Sequence, residues 1–415
     1  MAEPRTTLRE GIRTLPRPVW ILCAGSFVNR FGSFVAVFLV LYLRNEGYSI
    51  AESGLVVSFY GIGNVAAAAV GGWIADRLGR RNAIALSMFG SAATLLLLSQ
   101  AHSLAPIIVL TTLAGLTGEM YRPATAALLT DLTPAGERIP AFALNRLAIN
   151  AGFAAGPATA GLLAEESFFF LFLGDALTSI AFGVIALVAL PEGVRVRRGD
   201  ERRGEGLRTI VRDTAFVFFL ISSVLGAFVY FQSQTTFPLH VRASGLSESD
   251  YGLLISLNGL AIILLELPLV AITRRYPYRP VIALGSVLVG LGFALNAYAN
   301  DLPELALTVL IWTLGEIVYA PVASAYVADI APEHLRGRYQ GAWGLTWGLA
   351  FVFAPALGAA IFAWSPDGLW LVCGLLGVAA AALLVIPGRR PARRAPVHPA
   401  SAQPAGHGLQ SPDRG

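Results

Sequence analysis

Lysine is absent: all 30 basic residues are arginine, which we read as codon usage rather than mechanism. Charge of any kind is scarce. Only 13% of the chain is charged and 55% is hydrophobic, with a mean hydropathy of +0.64, whereas about a quarter of a soluble globular chain is charged. That composition argues against a soluble domain and places the chain among integral membrane proteins. Cysteine is nearly missing. Cys23 and Cys373 are the two present, both in apolar runs, so they read as small core residues rather than a disulfide framework. No Cys/His metal cluster, P-loop, nucleophile elbow or glycine-rich dinucleotide fingerprint occurs. No metal, cofactor or enzyme chemistry is therefore expected. The net charge of +4 does not imply nucleic acid, because the arginines are distributed as loops beside a membrane require.

Long apolar runs, by contrast, are plentiful. Arg5, Arg9, Arg13 and Arg17 precede the first, as in a signal peptide. The run from Val19 to Leu43 has 25 residues, too long for a cleaved segment and long enough to cross a hydrocarbon core of ~30 Å. Spanning-length segments follow at 52–74, 82–101, 105–130, 140–164 and 167–190, then at 214–240, 251–272, 280–300, 303–330, 338–363 and 367–387. The expected class is therefore all-α and integral to the membrane, with twelve transmembrane helices. The domain reading is a segment 1–18, a six-helix bundle 19–190, an Arg-rich linker 191–213, a second bundle 214–387, and a disordered tail 388–415 rich in Pro, Ala, Arg and Ser.

Arginine placement orients the chain. Of the 27 arginines in loops and termini, 25 fall on the side of the termini and the central linker; only Arg44 and Arg242 fall on the other. By the positive-inside rule, both termini and the linker are expected to be cytoplasmic. An internal repeat agrees. A shift of 198 residues, without a gap, aligns Gly54, Leu55, Ser58 and Gly61 with Gly252, Leu253, Ser256 and Gly259. It also aligns Pro123, Asp131, Pro134, Arg138 and Pro157 with Pro321, Asp329, Pro332, Arg336 and Pro355. A unit of six helices gives parallel halves related by a pseudo-two-fold axis along the membrane normal, with a site at their interface.

The loop after the second helix reads GGWIADRLGRR, Gly71 to Arg81. From Gly72 it is G-x-x-x-D-R-x-G-R-R, which resembles the signature loop of the major facilitator superfamily. The resemblance implies a conformational latch made of Gly72, Asp76, Arg77, Gly79, Arg80, Arg81, Asp131 and Arg138. Gly72 would let the second helix approach a neighbour. Asp76 would face the N-terminus of the eleventh helix, whose macrodipole favours an anion. In the second copy, Arg274 stands where the Asp would be. The fifth helix carries Gly152-x3-Gly156-Pro157-x3-Gly161, similar to the glycine-proline motif of the superfamily's proton-driven exporters, although Ala160 precedes Gly161 where two glycines usually stand. The alternative for this stretch is ordinary small-residue packing with a proline bend.

Several charges fall within the bilayer. A charge there costs ~3 kcal/mol or more on insertion scales, so it is expected to face a cavity and hold a partner. Arg30 lies ~17 Å from the cytoplasmic end and Glu119 ~15 Å at 1.5 Å per residue, so Glu119 is the expected partner of Arg30. Arg122 competes one turn away, and Arg146 adds a third positive charge ~10 Å in. The C-terminal half has Glu316 and Glu266 and no intramembrane arginine. The expected proton-coupling set is Glu119, Arg30, Arg122, Glu316 and Glu266. The expected substrate set is Asn29, Arg30, Tyr121, Arg146, Gln232, Gln234, Trp312 and Tyr319, mixing aromatic and polar groups as an amphipathic ligand requires. The alternative is a static ion-pair network. Asn29-Arg30-Phe31-Gly32 looks like a motif found there in one group of multidrug exporters. The related site of peptide symporters has acids before the arginine, where Val28 and Asn29 stand here.

These readings converge on a proton-coupled exporter of small amphipathic molecules in a bacterial inner membrane, expected to be monomeric, with a small-molecule substrate, protons and lipid as partners. The alternatives are an uptake symporter for a small organic anion and a non-transporting membrane sensor.

Overall fold

The computed structural model describes residues 12–134, 137–193, 205–332 and 335–386. The expected tail, most of segment 1–18 and half of the linker lie outside the described residues. Among the described residues, twelve helices are long and apolar enough to cross a membrane. In the first half these are α1 (Arg17–Asn45), α2 (Ile50–Leu78), α3 (Arg80–Leu98), α4 (Leu104–Leu132), α5 (Arg138–Glu166) and α6 (Phe168–Ala189). In the second they are α7 (Thr214–Thr235), α8 (Glu248–Thr273), α9 (Tyr278–Ala297), α10 (Leu302–Ile330), α11 (Arg336–Trp364) and α12 (Pro366–Val385). A short helix, Phe237–Ala243, links α7 to α8.

Two spans that the sequence reads as continuous are broken. α1 divides at Gly32 and Ser33 into Arg17–Phe31 and Phe34–Asn45. α4 divides at Met120 into Leu104–Glu119 and Tyr121–Leu132. Pro123 accounts for the second break, since its ring excludes the carbonyl four residues back, that of Glu119.

The repeat is visible in local chemistry. Ser49 and Glu52 form a capping box at the start of α2, and Ser247 and Asp250 form its counterpart at the start of α8. Gly47 and Gly245, at φ +90° and +80°, make the tight turns just before them, a conformation that costs glycine little. The halves pack alike. α1 against α5 and α6, α2 against α4, and α3 against α4 and α6 correspond to α7 against α11 and α12, α8 against α10, and α9 against α10 and α12.

The halves meet along two seams, α2 with α11 and α5 with α8. Each seam pairs one repeat with the other. A Cβ on Gly54 would overlap Pro355 and Ala359, and one on Gly252 would overlap Pro157 and Gly161. The N–H of Ala356, just after Pro355, donates to Ser58 Oγ at 3.0 Å, and that of Ala158, just after Pro157, donates to Ser256 Oγ at 2.9 Å. The seams then differ. α5 and α8 are tied further along by an Arg146–Glu266 ion pair. At the matching level of α2 and α11 stand Ala68 and Gly344, which line a cavity.

The apolar core explains which end is closed. At the end away from the termini one cluster runs through both halves, from Phe38 and Val57 to Phe237, Tyr251 and Phe362. At the other end each half has its own cluster, one around Leu128 and Phe182, the other around Phe216 and Tyr326. The halves are welded at the far end and part toward the termini.

Candidate functional site

Between the halves lies a cavity of about 810 Å³. Its wall from the first half carries Asn29, Arg30, Glu119, Arg122, Asn150 and Asp175; its wall from the second carries Tyr230, Gln234, Asn258 and Glu316.

The charges are organised by the two helix breaks. Glu119 ends the first part of α4 and pairs with Arg122 just past the break. Arg30, in the last turn before the break in α1, reaches the same carboxylate at 3.9 Å. Glu119 therefore sits between two guanidinium groups and lies nearer Arg122 than Arg30. Arg30 Nε is buried without a hydrogen-bond partner, while the residue as a whole lines the cavity. Across the cavity, Asn258 Nδ2 donates to Glu316 Oε2 at 3.1 Å and to Thr313 Oγ1 at 3.0 Å, holding the acid on α10.

An aromatic surface joins α7 to α11 and α2. Phe231 stacks on Phe351 with centroids 4.4 Å apart and planes 8° apart. Trp347 meets Tyr230 edge-on at 5.5 Å, and Tyr60 leans on Phe351 at 5.8 Å. The cavity thus offers flat apolar faces beside a few fixed charges, suited to an amphipathic guest.

Of the expected substrate residues, Asn29, Arg30 and Gln234 line the cavity. The others are placed elsewhere. Tyr121 packs edge-on against Phe182, 5.8 Å away. Trp312 stacks on Phe293 at 5.4 Å. Tyr319 shares a hydrogen bond with Ser223. Gln232 donates to Phe228 O and Ala354 O, bridging α7 and α11. Arg146 is half exposed and pairs with Glu266, so both leave the central cluster for the α5–α8 seam. Tyr60, Asn258 and Phe351 are cavity residues that the sequence reading did not single out.

The model of one family, described as the Major Facilitator Superfamily, matches the chain over residues 22–248 and 235–408. The chain belongs to the Major Facilitator Superfamily. It is 27% identical over 336 residues to the uncharacterized MFS-type transporter YqjV of Bacillus subtilis, covering 79% of this chain and 82% of that one. It is 25% identical over 380 residues to the multidrug resistance protein MdtH of Aeromonas hydrophila, covering 88% and 94%. In fold it matches a crystal structure of a POT family transporter in complex with 5-aminolevulinic acid, with a TM-score of 0.75, 16% identity, and coverage of 90% and 97%.

The superfamily's signature loop forms the junction of α2 and α3, where Gly79 turns the chain at φ +86°. Arg80 pairs with Asp131 at the end of α4, and Arg81 with Glu192 at 3.0 Å. Arg77 lies over the Trp73 ring at 4.3 Å. Gly72 departs from expectation. A Cβ there would meet nothing within 4 Å, whereas Gly71 is the residue pressed against Met120 O. Asp76 and Arg138 are exposed, and Asp76 has no ion pair or hydrogen bond among the described residues. The physical reason is the parting of the halves at this end: α2 and α11 touch as far as Val65 and Gly348, while Gly341 and Gly344 beyond them face open space. The glycines of α5 divide between two neighbours. Gly152 and Gly156 press on the backbone of α1 at Phe27 and Phe31, while Pro157 and Gly161 meet α8.

Proposed function

We propose that this superfamily member is a proton-coupled exporter of small amphipathic molecules, working by alternating access, with Glu119 and Glu316 as the principal proton-carrying groups. The observation that supports this most is the cavity itself: acids from both halves and a continuous aromatic surface share one space that opens at a single end. Burial of amphipathic ligand area against stacked rings favours loosely specified binding. An acid that exchanges a proton there changes the charge that a conformational change must carry. The name of MdtH, a multidrug resistance protein, agrees with the exporter direction. The positive-inside reading makes the open end cytoplasmic, and the membrane the bacterial inner one. The chain acts as a monomer on this reading, since the cavity is complete within one chain.

A second reading is favoured by one observation: Arg30 and Arg122 both line the cavity around the single Glu119, a positive surplus that suits a carboxylate, and so uptake of a small organic anion with protons. Substrate-dependent proton movement in proteoliposomes separates the two. With a panel of lipophilic cations, neutral drugs and organic acids, an exporter releases protons into the external medium when an amphipath is added to the side from which it binds, and moves substrate against a proton gradient. Co-movement of protons with organic acids alone would replace export by symport. No coupled movement with any class would overturn both.

A further inference from the structure

Asp175 lines the cavity but belongs to neither arginine–glutamate pair. It lies on α6, is 8% exposed, and its Oδ2 accepts the backbone N–H of Val35 at 3.3 Å. Val35 is the second residue of Phe34–Asn45, the part of α1 beyond its break. The residue placed to cap that helix, Ser33, does not do so; its hydroxyl donates backward to Asn29 O at 3.0 Å. The freed first-turn N–H is satisfied by a carboxylate from another helix. Gly32, at the break, leaves no room for a Cβ beside Thr178, one turn after Asp175. The break and the acid are thus fitted to one another.

The repeat supplies an internal control. The 198-residue shift carries Asp175 to Cys373 and carries Gly32 and Ser33 to Tyr230 and Phe231. There α7 runs on through those positions to Thr235, and the chain breaks instead at Thr236, before Phe237–Ala243. Where the acid is missing, the break lies further along the chain.

Phe34–Asn45 is the segment that welds the far end. Nine of its twelve residues are buried, Phe38 packs edge-on against Tyr251 of the other half at 5.1 Å, and Tyr251 Oη shares its one hydrogen between Ser233 O at 3.0 Å and Val37 O at 3.3 Å. A negative charge at the start of a helix is favoured by the macrodipole and by the unpaired N–H groups there. Other ionisable groups near Asp175 are few. Arg30 approaches from α1 and Tyr60 from α2 across the cavity; α3 carries its charges only at its start, and the one charge in the interior of α5, Arg146, pairs with Glu266 on the α5–α8 seam.

We propose that the charge on Asp175 holds the far-end seal shut: ionised, it caps Phe34–Asn45 and ties it to α6; protonated from the cavity, it slackens that tie and lets the seal open. This rests on the proton-coupled part of the function proposed above. Asp175 is a positioning residue, acting through α1.

The test is the reactivity of Val37→Cys, at a buried position lining both the cavity and the seal, in a chain with Cys23→Ala and Cys373→Ala. A membrane-impermeant maleimide is applied from the side opposite the termini, in alkaline and in mildly acid buffer. Each rate is normalised to the same thiol in unfolded protein. With Asp175 present, labelling should rise about five-fold on acidification, as loss of a charge–dipole tie allows. Asp175→Asn should label at the fast rate in both buffers, and Asp175→Glu should keep the acid dependence. Asp175→Ser serves the same purpose if the Asn variant is not recovered folded. Slow labelling of the neutral variants with an unchanged response to acid would overturn the proposal, as would loss of the response in Asp175→Glu. The assay needs no substrate, so the two proposals fail separately. Coupled proton release with unchanged labelling in Asp175→Asn sinks this switch alone. The expected labelling without coupled proton release sinks the exporter and leaves the switch standing.

Discussion

Glu119 shows how far one position can be read in advance. Its depth, and that of Arg30, follow from counting residues from the ends of two apolar runs, and the structure sets them 3.9 Å apart. Depth does not give azimuth. Arg146 is at a depth that suits the same cluster, yet it points to the α5–α8 seam and to Glu266. Pairing across halves depends on how two bundles dock, which no local pattern carries. If Glu119 carries a proton between its two arginines, Glu119→Gln should abolish proton-driven accumulation or expulsion while leaving substrate counterflow near wild type, because shape and donors are kept and the titrating charge is lost. Normal pH-dependent transport in that variant would pass the role to Glu316. A second residue-scale expectation concerns His240, on the short helix Phe237–Ala243. Trp370 Nε1 donates to its Nδ1 at 3.4 Å, so Nε2 carries the hydrogen and donates to Ala299 O at 2.8 Å. Burial pushes this imidazole below its ordinary value, against the opposing pull of the bond to Ala299. The unfolded chain takes up a proton as pH falls through about 6.5, while the folded chain stays neutral until its lower value is reached. Stability is therefore held above about 6.5 and lost as pH falls from there toward the folded value. Melting temperature in detergent should drop over that window, and His240→Asn should flatten the drop. Parallel curves would assign the dependence to another group.

At the scale of elements, the twelve spans and their boundaries were legible because hydrocarbon imposes length and apolarity on each. The repeat was legible as well, since turns and caps are local. Gly47, Ser49 and Glu52 recur as Gly245, Ser247 and Asp250. What the repeat does in packing was hidden. Each copy's second helix docks on the other copy's fifth, so Gly54 and Ser58 answer to Pro355 and Ala356, and Gly252 and Ser256 to Pro157 and Ala158. Half of the glycine-proline motif on α5 is seam, and half is a bed for α1. The broken α1 was hidden too, because an unbroken apolar run gives no hint that a distant acid will cap its middle. The seams predict a contrast between two glycines. Gly252→Val drives a side chain into the Pro157 backbone and should cost about 1–3 kcal/mol by overpacking, lowering the melting temperature in detergent. Gly72→Ala meets nothing within 4 Å and should leave stability unchanged or raise it by up to ~1 kcal/mol through helix propensity. Equal losses for the two would mean that the seam is not as closely packed as its geometry states.

The whole molecule is a clamp seen in one of its states, joined at the far end and parted at the end of the termini. On the proposed orientation, which rests on arginine asymmetry, the parted end is cytoplasmic, so Asn45→Cys and Ala243→Cys, at exposed helix ends that border the far-end loops, should react with an impermeant reagent from outside intact cells. Protection of both would reverse the orientation. The same state explains why the signature loop looks idle at Asp76. The α2–α11 seam keeps one register from Gly54 and Ala359 through Gly61 and Phe351 to Val65 and Gly348. Continued by two turns, it sets Gly72 opposite Gly341, both of which now face open space. Closing that gap would carry Asp76 toward the start of α11, where unpaired N–H groups and the helix dipole favour an anion. We propose that the latch belongs to a closed arrangement of this end, its energy being absent from the parted one. Asp76→Asn should leave the fold and melting temperature of the parted state unchanged, since the side chain is exposed. It should also slow disulfide formation between Gly72→Cys and Gly341→Cys, which requires closure. A charge–dipole contact of about 0.3–1 kcal/mol makes the expected slowing about two- to five-fold. A cross-linking rate equal to that of the Asp76 chain would show that closure does not use this carboxylate, and would leave the Arg80–Asp131 pair as an internal brace of the first half alone.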